Sequence, residues 1–329
     1  MILHVFNADN DMALANGSPG YTPPASIQRM MEKTALLPAR WAALGDGVIV
    51  GSRVWIVESP APKVAEWTEE FLPGKGRWVN LSDVLPQVEE VRPWGWSPAI
   101  CHRLRSIGIP ERFLPADAQL AELRRLSSRQ LAVEVLADVV PDNPCFVGES
   151  AYCTDASQVE QALLRWPQAV LKSPWSGSGK GIRYSQHGRE DTLRGWYQRI
   201  LEQQKGVVVE PFYDKVQDFA LEFWSDGEGH VAYQGLSLFE THPNGAYKGN
   251  FIWDEARKRT WLSELFARHG IPSSMLSTLQ DLLQQRLSAV VGASYRGPLG
   301  VDMMQVAGGR IHPCVEINLR MTMGYVSIL

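Results

Sequence analysis

The sequence predicts an α/β (α+β) protein, and three features lead to this fold class. Residues 2–6 form a short apolar strand that ends in a polar turn, as strands of open α/β sheets do. Amphipathic helices are predicted over residues 155–166 and 274–291, in a chain that also carries several apolar strand segments. Two apolar strands around the Gly308-Gly309 pair predict a hairpin near the C-terminus.

Composition and charge narrow the class of protein. The 329 residues are 45% hydrophobic and 21% charged, which is enough for two or three globular domains. The net charge of −4 without a long basic run argues against a nucleic-acid partner, and no apolar stretch approaches the roughly 20 residues of a membrane span. The N-terminus lacks the basic region of a signal peptide. We therefore expect a cytoplasmic, reduced protein without a structural zinc, because no CxxC pair occurs among Cys101, Cys145, Cys153 and Cys314.

The polar turn after the first strand is a candidate ligand site. Ligands of open α/β sheets bind at the carboxyl ends of strands, where this chain places Asn7, Asp9, Asn10 and Asp11. Asn and Asp also favour turns and helix caps for local reasons, so a purely structural role stays open for each of them. The loop of residues 21–24 is the second place where we expect substrate contacts.

A glycine- and serine-rich segment lies in the middle of the chain. An apolar run that predicts a strand, residues 169–171, leads into Lys172, and small residues follow. Small residues let the backbone approach a polyanion closely, so that several N–H groups can point at phosphate oxygens together. An ordinary surface hairpin is the alternative. The candidate phosphate-binding residues are Lys172, Ser176, Gly177, Ser178, Gly179, Lys180 and Gly181.

Two common phosphate-binding motifs do not match this segment. A P-loop needs glycine where this chain has Pro174, and serine or threonine where it has Gly181. A Rossmann fingerprint needs a helix directly after the loop, whereas residues 182–184 predict a returning strand. The segment is therefore interpreted as a flap between two antiparallel strands.

The C-terminal hairpin brings together oxygen ligands. Glu316 and Asn318 are two residues apart, so their side chains point to the same face of a strand. Asp302 lies on the partner strand, and a turn at Gly308-Gly309 would place it beside them. Two carboxylates and an amide suit Mg²⁺ that is held partly by nucleotide phosphates.

These motifs follow one another in an order that is typical of one family. A strand ending in Lys172, the Gly/Ser-rich flap, a strand ending in Glu210, and the hairpin with Asp302 and Glu-x-Asn together resemble the ATP-grasp superfamily. Its members include D-alanine–D-alanine ligase, biotin carboxylase and glutathione synthetase. The resemblance covers about residues 120–324.

The resemblance implies a domain organisation. It predicts an ATP-grasp fold with a Rossmann-like N-terminal domain at residues 1–120. A lid subdomain that carries the flap is expected at residues 121–205, and a C-terminal subdomain with the Mg²⁺ site at residues 206–329.

The resemblance also implies roles for further residues in binding the nucleotide. Glu210 would accept the adenine amino group, and Phe212 and Tyr213 would supply apolar walls or backbone hydrogen bonds for the base. The ribose hydroxyls would be bound by Asp218 or by Glu222.

Three basic residues are candidates for the phosphates. Arg129 sits where relatives in the superfamily carry a lid lysine that reaches the nucleotide phosphates. Arg320 lies two residues beyond Asn318, where a guanidinium could bind a γ-phosphate or an acyl phosphate. Lys248 is the candidate from a polar loop that would close over the phosphates, although a plain solvated loop is the alternative.

The implied activity is that of a ligase. ATP with one or two Mg²⁺ ions, or Mn²⁺, would convert a substrate carboxylate into an acyl phosphate, which an amine or a thiol then attacks to release phosphate. The partners would be a small carboxylate and a small amine, and ligases of this superfamily are often dimers, which also allows a homodimer. The alternatives are a kinase of the same fold and a nucleotide-binding module without chemistry.

Overall fold

The computed structural model describes residues 1–59, 74–177, 181–185, 190–242 and 247–329. The chain divides into two compact units. Unit 1 comprises Met1–Arg124 together with Leu329, and unit 2 comprises Arg125–Ile328. In the part of the chain that is described, no helix is long and apolar enough to cross a membrane.

Unit 1 contains one five-stranded sheet. Its spatial order is β4-β3-β2-β1-β5, in which β1 runs parallel to both β2 and β5 while β2, β3 and β4 pair antiparallel. The left-handed Gly51, with φ of 62°, makes the tight turn between β2 and β3. The strands are β1 (Ile2–Val5), β2 (Gly47–Val50), β3 (Arg53–Val57), β4 (Gly76–Asn80) and β5 (Glu90–Pro93).

Helices of unit 1 cover the apolar faces of these short strands. The core includes Leu3, Val54 and Ile56 from the sheet and Cys101 and Leu104 from a helix. The helices are α1 (Asn10–Asn16), α2 (Ala25–Lys33), α3 (Leu81–Val84), α4 (Pro98–Ser106) and α5 (Asp117–Leu126). Ser97 caps α4, as its hydroxyl accepts a hydrogen bond from the N–H of Ile100.

The first half of unit 2 contains a four-stranded antiparallel sheet. Its order is β6-β9-β7-β8, so the flap predicted from the sequence does connect two antiparallel neighbours, β7 and β8. Its strands are β6 (Ala151–Cys153), β7 (Ala169–Lys172), β8 (Ile182–Tyr184) and β9 (Val207–Pro211), and its helices are α6 (Arg129–Val139), α7 (Ala156–Arg165) and α8 (Glu190–Gln204).

The second half of unit 2 contains a larger antiparallel sheet in the order β12-β11-β10-β13-β14. The hairpin predicted at Gly308-Gly309 is present, and both glycines have positive φ values, 78° and 68°. Helices α9 and α10 pack against β11. The elements are β10 (Lys215–Asp226), β11 (Val231–Thr241), β12 (Tyr247–Asn250), α9 (Glu255–Arg268), α10 (Met275–Val290), β13 (Arg296–Val306), β14 (Arg310–Asn318) and α11 (Met323–Val326).

Candidate functional site

Asp302, Glu316 and Asn318 lie together on one face of the larger sheet. Asp302 stands directly opposite Glu316 in the β13–β14 pair, and Gly300 stands opposite Asn318. Side chains of directly opposite residues share a face, so the hairpin brings the three predicted metal-binding residues together. Asn318 Nδ2 donates to Asp302 Oδ2 at 3.2 Å.

The two carboxylates of this face repel one another. Burial is the main cause that raises the pKa of Asp302 to about 7, and the charge of Glu316 adds to it. Arg320 opposes this shift. Within the described residues no group of three or more His, Cys, Asp and Glu side chains is suited to a metal ion, so a cation here would need the Asn318 amide and ligands from outside the protein.

Arg320 extends the same face beyond Asn318. Its Nη2 donates to Asn318 Oδ1 at 2.9 Å, and its Nη1 donates to the carbonyl of Met321 at 3.0 Å. β14 ends at Asn318, so Arg320 lies beyond the strand, and these two hydrogen bonds hold its guanidinium beside the acidic pair.

Arg129 links the start of the flap to the acidic face. It begins α6, where the Ser128 hydroxyl accepts from the N–H of Gln130, and it is only 5% exposed. Its Nη2 donates to Glu316 Oε1 at 2.8 Å, and its Nη1 donates to the carbonyl of Ser173 at 2.6 Å and to Ser176 Oγ at 2.7 Å. The guanidinium predicted to reach phosphates is bound here to acceptors of the protein.

The described part of the flap is tightly closed at its base. The N–H of Ser173 donates to the carbonyl of Gly181 at 2.9 Å. A Cβ atom at Gly181 would lie inside the van der Waals radii of the Ser173 and Ser176 hydroxyls, so only glycine fits there. Ser176 and Gly177 are partly exposed, whereas Ser178, Gly179 and Lys180 lie outside the described residues.

Lys172 and Glu210 form a buried ion pair across β7 and β9. Glu210 stands opposite Val170 and Lys172 stands opposite Val208, so the two side chains are diagonal neighbours on one face. Lys172 is 5% exposed and Glu210 is 6% exposed. The predicted phosphate ligand and the predicted adenine ligand therefore neutralise each other in this structure.

Phe212 and Tyr213 follow the end of β9. The Phe212 ring is about half exposed, and its N–H donates to the carbonyl of Gln168 at 2.8 Å, so that N–H is not available to a base. The Tyr213 hydroxyl accepts from the N–H of Glu149 at 3.0 Å. The Phe212 N–H is therefore used within the protein, whereas its exposed ring could still form an apolar wall.

The two ribose candidates lie on opposite sides of the acidic pair. Ala220 of β10 stands opposite Asp302, Asp218 stands opposite Met304, and Glu222 stands opposite Gly300. Asp218 and Glu222 are four positions apart, which is about 13 Å along a strand, too far for one ribose to bind both.

Asp218 is the candidate on the side of Glu210. Both carboxylates raise the pKa of Tyr184, after the larger effect of burial, so both lie near that phenol. The Thr241 hydroxyl donates to Asp218 Oδ2 at 2.9 Å, and Lys215 forms an ion pair with the same carboxylate. If Glu210 binds the adenine base, Asp218 is the better placed of the two candidates to bind the ribose.

Glu222 is a buried acid whose burial and hydrogen-bond partner the sequence did not predict. It is 1% exposed, and the Thr322 hydroxyl donates to its Oε2 at 3.0 Å. Burial raises its pKa to about 8, and the charge of Asp302 adds to the shift. Gly300 and Gly324 pack against it, since a Cβ at Gly300 would come within 2.6 Å of Oε2. A glutamate in an apolar strand was the only signal in the sequence.

His312 is a buried residue that sequence reasoning missed. It is fully buried on β14, and within the described residues neither ring nitrogen has a hydrogen-bond partner. Burial, and then the charge of Lys172, lower its pKa to about 3, so the ring is neutral. Its ring packs edge-on to Tyr213, with centroids 5.4 Å apart, and thus supports the apolar wall.

Lys248 lies in the edge strand β12. Its side chain is 55% exposed, and its Nζ donates to Glu240 Oε2 at 2.6 Å. Among the described residues it forms no hydrogen bond or ion pair with Asp302, Glu316 or Asn318. Residues 243–246 of the loop before it lie outside the described residues.

The chain is similar in sequence to a curated bacterial ligase. No protein-family model matches the chain. A [butirosin acyl-carrier protein]–L-glutamate ligase of Niallia circulans is 26% identical over 191 residues, which cover 52% of this chain and 38% of that ligase. This chain therefore spans well under half of the length of that relative.

The fold is similar to those of solved structures that cover all or most of the chain. The crystal structure of D-cycloserine synthetase DcsG aligns with 100% of this chain and 94% of that chain, at a TM-score of 0.50 and 12% sequence identity. The biotin carboxylase domain of 2-oxoglutarate carboxylase from Hydrogenobacter thermophilus, in complex with ADP and MgADP, aligns with 73% of this chain and 50% of that chain, at a TM-score of 0.48 and 13% identity.

Proposed function

The chain has the ATP-grasp fold that the order of its motifs predicts, and on that premise we propose that it is an ATP-dependent carboxylate–amine (or carboxylate–thiol) ligase. In this reaction the substrate carboxylate becomes an acyl phosphate, and the products are ADP, phosphate and the joined substrates. The relative from Niallia circulans is named as a ligase for L-glutamate, which supports this reaction class. The observation that carries the proposal is the acidic face of Asp302, Glu316 and Asn318 with Arg320 at its edge.

The acidic face fits Mg²⁺ with ATP. Asp302, Glu316 and Asn318 offer only oxygen donors, and the pKa of about 7 for Asp302 reflects burial and a neighbouring carboxylate that a divalent cation would offset. We propose that these three residues hold one or two Mg²⁺ ions, or Mn²⁺. When bound, Mg·ATP supplies the phosphoryl group that activates the carboxylate.

The basic residues around this face would neutralise the charge of the transferred phosphoryl group. Arg320 is held beside Asn318 and would contact the phosphoryl group or the acyl phosphate. Arg129 orients Glu316 and holds the start of the flap in the same place, so it is either a positioning residue or a direct phosphate ligand. We also propose that Lys248 closes over the phosphates together with its loop.

The base and ribose would bind at the end of the face that lies near Glu210. Asp218 would bind the ribose, because it lies near Tyr184 together with Glu210. Lys172 would contact the phosphates from β7, next to the flap. The proposed nucleotide-binding residues are Arg129, Lys172, Ser176, Gly177, Ser178, Gly179, Lys180, Gly181, Glu210, Phe212, Tyr213 and Asp218.

Domain organisation and oligomeric state are also part of the proposed function. We propose an N-terminal domain at residues 1–120, a lid at residues 121–205 and a C-terminal subdomain at residues 206–329. The substrates would be a small carboxylate and a small amine in the cytoplasm. A homodimer is the proposed assembly, and light scattering of the purified chain tests it.

Release of ADP in the presence of pooled substrates tests the function. The chain is incubated with Mg·ATP and pools of carboxylic acids and amines, and mass spectrometry identifies the products. ADP with a product joined by loss of water is the expected result. ADP with a product heavier by one phosphoryl group would instead establish a kinase. ATP binding without turnover in any pool would count against a ligase of small molecules.

A further inference from the structure

The sheet of unit 1 has a switch in strand order at β1. The chain passes from β1 outward through β2, β3 and β4, and then returns to β5 on the other side of β1. Both β2 and β5 are parallel to β1. In open α/β sheets, ligands bind outside the carboxyl ends of the strands at such a point. The segments at this point are the turn after β1 and the loop after β5.

Two of the polar residues in the turn after β1 are engaged by the protein itself. Asn7 exchanges two hydrogen bonds with the backbone of Gly95, at 2.8 and 3.3 Å. The amide of Asn10, oriented to donate, reaches the carbonyls of Gly95 at 2.9 Å and Trp96 at 3.3 Å. Both side chains are buried. They hold the loop after β5 in place and are not presented to a ligand.

Asp9 holds an arginine at the same place. Its carboxylate is fully buried and does not cap α1. Instead, Arg103 Nη2 of α4 donates to both of its oxygens, at 3.1 and 3.0 Å. The Arg103 side chain is 37% exposed, and among the described residues its Nη1 has no hydrogen-bond partner. The buried acid therefore fixes a guanidinium that still has donors available.

Tyr21 stands beside this ion pair. Burial raises the pKa of its phenol, the charge of Asp9 raises it further, and the charge of Arg103 opposes the shift. The phenol is thus close enough to sense both charges, and it keeps its proton at neutral pH. It supplies a neutral O–H donor within electrostatic range of the guanidinium.

The charges of this cluster favour one class of ligand. A guanidinium and a phenol that both donate hydrogen bonds suit an anion with two acceptor oxygens. Because Asp9 already offsets the charge of Arg103, the pair is neutral overall, and a singly charged anion fits better than a doubly charged phosphate. We propose that Arg103 and Tyr21, supported by Asp9, form a carboxylate-binding site in unit 1.

All residues of this site belong to unit 1, whereas the acidic face belongs to unit 2. Its existence rests on unit 1 alone. That its ligand is a small acid used as a substrate rests on the proposed function. The sequence pointed to the turn after β1 and to the loop of Tyr21, but Arg103 had no signal of its own within α4.

Ligand-observed NMR with the full chain tests the site. The probe is a pool of small carboxylic acids and amino acids that includes L-glutamate, with inorganic phosphate as a competitor. An acid from the pool should bind the unmodified chain, and R103Q should weaken its affinity by ~10-fold or more, because one charge-assisted hydrogen-bonding group is lost. Phosphate at equal concentration should compete poorly.

Two further variants serve as a matched control and as an alternative to R103Q. R105Q removes another partly exposed arginine from α4, one that pairs with Glu111, and should bind the acid like the unmodified chain. Y21F leaves the Asp9–Arg103 pair intact and should also weaken binding, so it replaces R103Q if that variant unfolds by circular dichroism.

The outcomes separate the site from the proposed function. Acid binding that is lost in R103Q or Y21F, in a chain without ligase turnover, supports the site and contradicts the ligase. Turnover with acid binding unchanged in both variants contradicts the site and leaves the ligase standing. No binding of any acid by the unmodified chain overturns the carboxylate site, and phosphate binding as strong as that of the best acid overturns its ligand class.

Discussion

Two carboxylates in unit 2 stand in opposite electrostatic surroundings. Glu210 in the smaller sheet is buried against Lys172, and the two charges offset each other within the protein. Asp302 in the larger sheet faces a second acid, Glu316, and its pKa is raised to about 7. The comparison shows that residue type alone does not assign a ligand role, because the charge of the nearest neighbour decides whether a carboxylate favours a cation.

The largest expected effect concerns the buried ion pair of Lys172 and Glu210. K172M leaves Glu210 buried without a partner, and breaking a buried ion pair in this way destabilises proteins by about 3–5 kcal/mol. Urea unfolding measures the change. The double variant K172M/E210L removes both charges and should recover much of the stability. E149Q, which breaks an exposed ion pair with Arg165, is the control and should cost only about 0–1 kcal/mol.

For Asp302 the expected effect is on activity rather than on stability. D302N removes one of the proposed Mg²⁺ ligands and should lower turnover by a factor on the order of 10²–10³, as the loss of one key electrostatic group does. The Tm should not fall, since repulsion from Glu316 is relieved. ADP release at saturating Mg·ATP measures the effect. Unchanged turnover would show that the metal assignment is wrong.

The pH dependence of stability sharpens the same contrast. The pKa is raised from 3.8 to about 7 for Asp302 and from 4.5 to about 8 for Glu222. Between about pH 4 and 8 the folded chain therefore binds more protons than the unfolded chain, so the free energy of unfolding falls as pH rises. The expected fall is on the order of 4 kcal/mol for each group, because a pKa shift of one unit corresponds to about 1.4 kcal/mol.

Urea unfolding without ATP or metal, at several pH values, measures this slope. D302N and E222Q should each flatten it, because each removes one group that titrates differently in the two states. If both variants kept the full slope, the fall in stability would have to come from other groups.

The smallest expected effect concerns Lys248, whose partner Glu240 is at the surface. If Lys248 closes over the phosphates, K248A should lower kcat/KM for ATP by ~10-fold, the value of one charge-assisted hydrogen bond. Steady-state kinetics with varied ATP measure it. E240Q removes the surface partner but keeps the lysine, and it should leave kcat/KM unchanged. If K248A kept the kcat/KM of the unmodified chain, Lys248 would not contact the phosphates and would be a surface residue only.

Much of the acidic face could be predicted from local sequence. The Gly308-Gly309 turn and the two-residue periodicity of a strand together place Glu316, Asn318 and Asp302 on one face. The flap was predicted in the same way, as a loop between the neighbouring strands β7 and β8. Such features depend on residues close together in sequence.

Other parts of the site depend on distant residues. Arg129 bonds Glu316 across 187 positions, and Glu222 receives its hydrogen bond from Thr322 across 100 positions. The positions of Asp218 and Glu222 on either side of Asp302 depend on the pairing of β10 with β13. No local pattern reports these neighbours.

The sequence by itself determined the order of the motifs, which predicts the ATP-grasp fold, and the two acids and the amide that share the hairpin. Only the tertiary structure decided which charged side chains are already paired. It buried Lys172 against Glu210, set Asp302 against Glu316, and left Arg103 partly exposed beside Asp9. The physical reason is that burial and the nearest opposite charge, which set the state of an ionisable group, are supplied by segments far apart in the chain.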